Sequence, residues 1–174
     1  MSSVVFLRAV NVGGTNRCRP AAIAKQLQTF GIVNIGAVGT FVVSQNVSEP
    51  DLRAAITRKL PFKCEIMIVP PRDLIKLVSK TPFSGKPSGP DIVRFVSIAA
   101  KRPHTLPPLP FNLPSDADWL LKITSVQGRF LLGLYRREMK AISYLSKIEK
   151  LLGVPITTRS WNTIEKVAKI LRDH

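Results

Sequence analysis

The chain has 174 residues, 45% of them hydrophobic, with 26 Lys and Arg against 11 Asp and Glu, a formal charge of +15. This length and apolar content exclude a disordered chain and support one domain or two small lobes with a real core, while the charge favours polyanionic partners. Two cysteines without C-x-x-C spacing encode neither a disulfide framework nor a zinc knuckle.

No apolar run approaches the roughly 20 residues of a membrane span. The run Val4 to Val10 is broken by Arg8 and followed by Asn-Val-Gly-Gly in place of a small-residue cleavage site. The expected setting is the cytoplasm, with no membrane association.

The first 70 residues read as β-α-β-β-α-β. Val4 to Val10 is a strand. Pro20 to Phe30 is a helix, with Pro in its first turn, Ile23, Leu27 and Phe30 on one face, and Gly31 as the stop. Ile32 to Val38 and Thr40 to Ser44 form an antiparallel pair turning at Gly39-Thr40. Ser48 caps a second helix whose Leu52, Ile56 and Leu60 are buried and which Pro61 ends. Phe62 to Val69 is a further strand, with Cys64, Ile66 and Ile68 on one face. This order predicts a ferredoxin-like plait, two helices on one face of a four-stranded sheet.

A linking helix spans Arg72 to Ser79, and the Gly, Pro and Ser of residues 84–90 mark the best boundary. The expected organisation is a ferredoxin-like lobe over 1–83, a linker over 84–90, and a second, degenerate α+β lobe over 91–174 packed on the first. In that lobe Ile92 to Ala100 is a strand. Lys101 to Pro114, with five prolines, is an extended connection. Trp119 to Val126 and Arg129 to Arg136 form a hairpin about Gln127-Gly128. A helix from Ser143 to Leu152 ends at Gly153, a strand runs Val154 to Thr157, and the last helix buries Ile164, Val167, Ala168 and Leu171.

Much chemistry is excluded. The only histidines are His104 and His174, so a Ser-His or Cys-His nucleophile has no base and no His-rich metal site is encoded. Neither G-x-x-x-x-G-K-[ST] nor a G-x-G-x-x-G after a strand is present, so no cofactor is implied. Asp116 and Asp118 solubilise a loop, Glu149 and Glu165 serve helix ends or ion pairs, and no catalytic residue can be named.

Two polar segments stand out. Asn11-Val12-Gly13-Gly14-Thr15-Asn16 leaves the first strand toward a helix start, where glycines and exposed N–H groups favour a phosphate or carboxylate. In Thr157 to Thr163, Ser160 or Asn162 serves as N-cap, Glu165 completes a capping box with Asn162, and Trp161 staples the entry. Arg159, beside that helix start, suits an anion.

The stretches LRAVNVGG and EKLLGVPITTRSWNTIEKV, with the order of elements between them, resemble the bacterial family called domain of unknown function 1697, whose usual forms are LLRGINVGG and TTRNWNT. The resemblance implies two α+β lobes of ferredoxin-like character and no established substrate, cofactor or catalytic residue. GAVGTFVV here replaces the family's longer tyrosine-containing hairpin, and Ser160 stands where an Asn is usual.

Two readings follow. The chain is a nucleic-acid or polyanion-binding module, in which Phe6 and Arg8 share a sheet face as in an RRM, although GTFVV supplies Phe41 without the partner motif. Alternatively it is an enzyme or sensor for a small phosphorylated or carboxylated ligand held at the Gly13-Gly14 loop between the lobes. The candidate ligand-binding residues are Arg8, Asn11, Gly13, Gly14, Asn16, Arg159, Trp161 and Asn162, expected to meet in one basic pocket with Trp161 as its apolar wall.

Overall fold

A computed structural model of the chain describes residues 2–174. The chain divides into two compact units, Met1–Val78 with Glu165–His174, and Ser79–Ile164. The division falls at the end of the linking helix, ahead of the turn-rich residues 84–90.

The first unit contains β1 (Ser3–Leu7), α1 (Pro20–Gln26), β2 (Ile32–Ile35), β3 (Thr40–Val43), α2 (Glu49–Lys59), β4 (Ile66–Val69) and α3 (Pro71–Ser79). Its sheet is antiparallel in the order β2-β3-β1-β4, the order expected of a βαββαβ plait. Val5 and Leu7 of β1, Phe41 and Val43 of β3, and Ile66 and Ile68 of β4 form one core with Ile23 and Ala24 of α1 and Leu52, Ala55 and Ile56 of α2. The alternation of strand side chains and the 3.6-residue helix period thus meet on one sheet face.

The opposite face is closed too. Val4 and Phe6 are 0% exposed, Met67 and Val69 1%, and Val42 3%.

Several boundaries differ from expectation. The α-helix stops at Gln26 and tightens into a 3-10 turn over Gln28–Phe30, with Gly31 left-handed at its end. β2 is shorter than its apolar run because four residues, Gly36 to Gly39, make the turn in place of Gly39-Thr40, as the pairing Ile35↔Thr40 requires. A side chain at Gly39 (φ +84°) would lie 2.7 Å from Leu7 Cβ, so the turn sits directly against β1. β4 begins only at Ile66. Ser48 caps α2 as expected, its hydroxyl accepting from Asp51 N.

The second unit contains β5 (Ile92–Ala99), β6 (Phe111–Leu113), β7 (Leu121–Gln127), β8 (Phe130–Arg136), α4 (Met139–Leu152) and β9 (Ile156–Ser160). The last helix, α5 (Trp161–Arg172), starts here and ends within the first unit's residues. The antiparallel sheet has the order β6-β7-β8-β5-β9. Setting β6 aside, β7-β8-β5-β9 repeats the arrangement β2-β3-β1-β4, with the proline-rich connection in place of a helix between the first two strands. Phe95, Leu121, Ile123, Leu131 and Ile156 pack with Tyr144, Ile148 and Leu152 of α4.

Three corrections belong to this unit. Residues 101–114 are not wholly an open connection, because Phe111–Leu113 pairs with β7 as an edge strand. The hairpin turns on Gly128-Arg129, since Gln127 pairs with Phe130 and Gly128 (φ +59°) takes the left-handed position. β9 runs to Ser160, so Arg159 is a strand residue paired with Val96.

Candidate functional site

The Asn11 to Asn16 segment folds back on itself. Asn11 N donates to Asn16 O at 3.1 Å and Thr15 N to Val12 O at 3.2 Å, which makes a short hairpin with Gly13 (φ +60°) and Gly14 (φ +75°) at its tip. Two successive positive φ values are what a type I′ turn needs, so these glycines serve the turn.

The hairpin does not deliver its N–H groups to a helix start. α1 begins at Pro20, which has no N–H, and Ala22 N and Ile23 N both donate to Arg19 O. Asn11 is a clamp: Nδ2 donates to Cys18 O at 2.9 Å and Ala37 O at 2.7 Å, and Oδ1 accepts from Cys18 N at 3.0 Å. Asn16 Nδ2 reaches Ala9 O at 3.2 Å.

Arg8 and Asn16 do come together. With Ala9, Lys63, Cys64 and Glu65 they line a shallow depression of about 250 Å³ at the base of the hairpin. Its thiol is held by Arg8 O, 3.2 Å from Cys64 Sγ, and burial pushes the Cys64 thiol above its ordinary value. A thiol raised in this way is a poor nucleophile at neutral pH. Cys18 and Cys64 are both free.

The other three expected residues behave differently. Arg159 is 5% exposed, and its guanidinium donates to Thr157 Oγ1 at 2.7 Å and Thr158 O at 2.9 Å. These two bonds tie it to its own strand. Trp161 is the first residue of α5, 8% exposed, with its ring edge-on to Phe83 at 5.0 Å between centroids; it fills a core. Asn162 lies inside α5 and is exposed, so it cannot be the N-cap. Ser160 takes that place, its hydroxyl 3.4 Å from Thr163 N.

The sheet offers no platform for bases. Stacking needs exposed aromatic faces on the outer sheet surface, and both Phe6 and Phe41 are 0% exposed. Among the described residues no group of three or more His, Cys, Asp and Glu could hold a metal ion, and no helix is long and apolar enough to cross a membrane.

Sequence reasoning missed Lys63 and Glu65. Their closeness to Arg8 comes from the β1–β4 ladder, with Leu7 opposite Ile66 and Arg8 N donating to Glu65 O at 3.0 Å. No local motif marks it.

The model of the family described as "Protein of unknown function (DUF1697)" matches residues 1–105. No curated protein matches the chain. Among solved structures, the conserved bacterial protein SP0830 from Streptococcus pneumoniae is similar over 98% of this chain and 98% of its own, with a TM-score of 0.55 and 16% identity. At that identity the likeness shows a shared α+β fold.

Proposed function

The chain belongs to the family of proteins of unknown function DUF1697, and from that starting point we propose that it is a nucleic-acid or polyanion-binding module that reads phosphate charge, not base identity. The observation that carries this reading is the charge balance. Eleven acidic residues cannot neutralise 26 basic ones, and the excess of +15 is spread over the chain without a basic tail. Exposed cations stand in both units, among them Arg17, Arg19 and Lys25 in the first and Lys140, Lys147 and Lys150 in the second. Lys166, Lys169 and Arg172 line the exposed side of α5.

Lysine and arginine on a surface release condensed counterions from a phosphate backbone, a gain that does not depend on sequence. The burial of Phe6 and Phe41 removes the base-stacking route, so the charge route remains. Fluorescence anisotropy with poly(U), poly(A) and a mixed RNA of equal length at low salt tests the reading. The expected affinities agree within about threefold, whereas a preference of roughly a hundredfold for one sequence would require base contacts.

A further inference from the structure

The outer side of α4 carries apolar side chains that the phosphate-charge reading leaves without a role. Met139 is 90% exposed, Ile142 53% and Leu151 46%, and among the described residues no other helix has a large hydrophobic side chain exposed to this degree. The helix's own packing face is already in use, since Tyr144, Ile148 and Leu152 are buried in the core of the second unit. By the helix period, Met139 and Ile142 adjoin on the outer side one turn apart. Exposed Lys140, Lys147 and Lys150 run beside them, with Leu151 on the far flank of the lysines. The one carboxylate within the helix, Glu149, is half-buried and accepts from Ile156 N at 3.0 Å. The outer side of the helix is therefore basic and apolar at once.

These two properties together select the partner. A second copy of a chain with a charge of +15 is repelled. A phosphate backbone read for its charge alone answers the lysines and leaves the apolar side chains in water. An anionic bilayer answers both, with phosphates at its surface and acyl chains just beneath. We infer that this side of α4 rests on an anionic lipid surface, with Met139 and Ile142 entering the boundary between headgroups and acyl chains and Lys140, Lys147 and Lys150 held at the headgroup phosphates. The lysine stems can lie along the interface while their ammonium groups stay among the headgroups. The expectation of no membrane association rested on spanning length, which a helix lying on a surface does not need. The inference goes beyond the phosphate-charge reading and does not rest on it.

The full chain is mixed with sedimentable vesicles of phosphatidylcholine, alone or with about 30% phosphatidylglycerol, at about 100 mM NaCl, and the bound fraction is followed against lipid concentration. Charge alone would draw the chain to anionic vesicles by any face, so the deciding variant keeps the charge. Met139→Gln combined with Ile142→Gln replaces two exposed side chains by a good helix former and leaves the melting temperature unchanged. The parent is expected to bind the anionic vesicles and not the neutral ones, and the double variant to bind about tenfold more weakly with RNA affinity unaltered. Val12→Gln, at a 56% exposed apolar position in the first unit, should bind vesicles like the parent. A double variant that binds like the parent, or a Val12→Gln loss of equal size, would overturn the inference in favour of contact by charge or by any apolar side chain. Absence of binding to anionic vesicles also overturns it and leaves an acidic protein as the occupant.

Discussion

Phe6→Ala should lower the stability of the protein by about 3–5 kcal/mol, the range for removing a fully buried phenylalanine ring, and leave the affinity of the folded molecules for RNA unchanged. Phe6 is 0% exposed in the middle strand pairing of the first sheet, opposite Thr40 on one side and Met67 on the other. An RRM-like platform predicts the reverse pattern, with each stacked base contributing roughly 1–3 kcal/mol to binding and an exposed ring little to folding. Urea unfolding and RNA anisotropy on the same preparation separate the two. Phe6→Leu, which keeps most of the buried volume, should recover most of the stability and again leave affinity alone. A variant that folds normally and loses RNA would show that the ring reaches a base.

Arg159→Ala is expected to destabilise the second unit by about 2–4 kcal/mol, because it removes a long buried side chain together with hydrogen bonds from a charged donor. Thr157 Oγ1 and Thr158 O would lose their guanidinium partner inside β9. The loss should be the same with and without phosphate in the buffer. Had Arg159 been an exposed residue beside a helix start, the change would cost only a few tenths of a kcal/mol and act on anion-dependent stability alone. Chemical denaturation in the presence and absence of phosphate distinguishes these outcomes.

The contrast between Phe6 and Arg159 shows what the sequence could convey. The order of strands and helices was readable because each element carries its own period: Leu52 and Ile56 along α2, Val5 and Leu7 against Phe41 and Val43 across the sheet. The closure of the second sheet face had a signal of its own, which the RRM-like reading of Phe6 passed over. Val4 to Leu7 and Ile66 to Val69 are unbroken apolar runs, which mark strands buried on both faces, whereas a half-exposed strand alternates.

What could not be read was set by pairing at a distance. Thr158, Arg159 and Ser160 lie past the strand expected over Val154 to Thr157, and they are strand because β5 offers them an edge. Phe111–Leu113, flanked by prolines, is strand only because β7 lies beside it. The candidate site followed the same rule. Gly13, Gly14 and Asn11 were conspicuous in sequence and proved to be turn and clamp, while the neighbours that make a depression, Lys63 and Glu65, lie some fifty residues away and are brought in by strand register.

Whether phosphate charge is what the protein reads is decided by the salt dependence of RNA or DNA binding. The observed association constant, measured by anisotropy at several concentrations between about 50 and about 200 mM NaCl, should fall linearly on a log–log plot with a slope of several units, set by the number of phosphates neutralised. Mixed and homopolymeric sequences should share that slope. A slope near zero, or no binding even at the lowest salt, would contradict the claim.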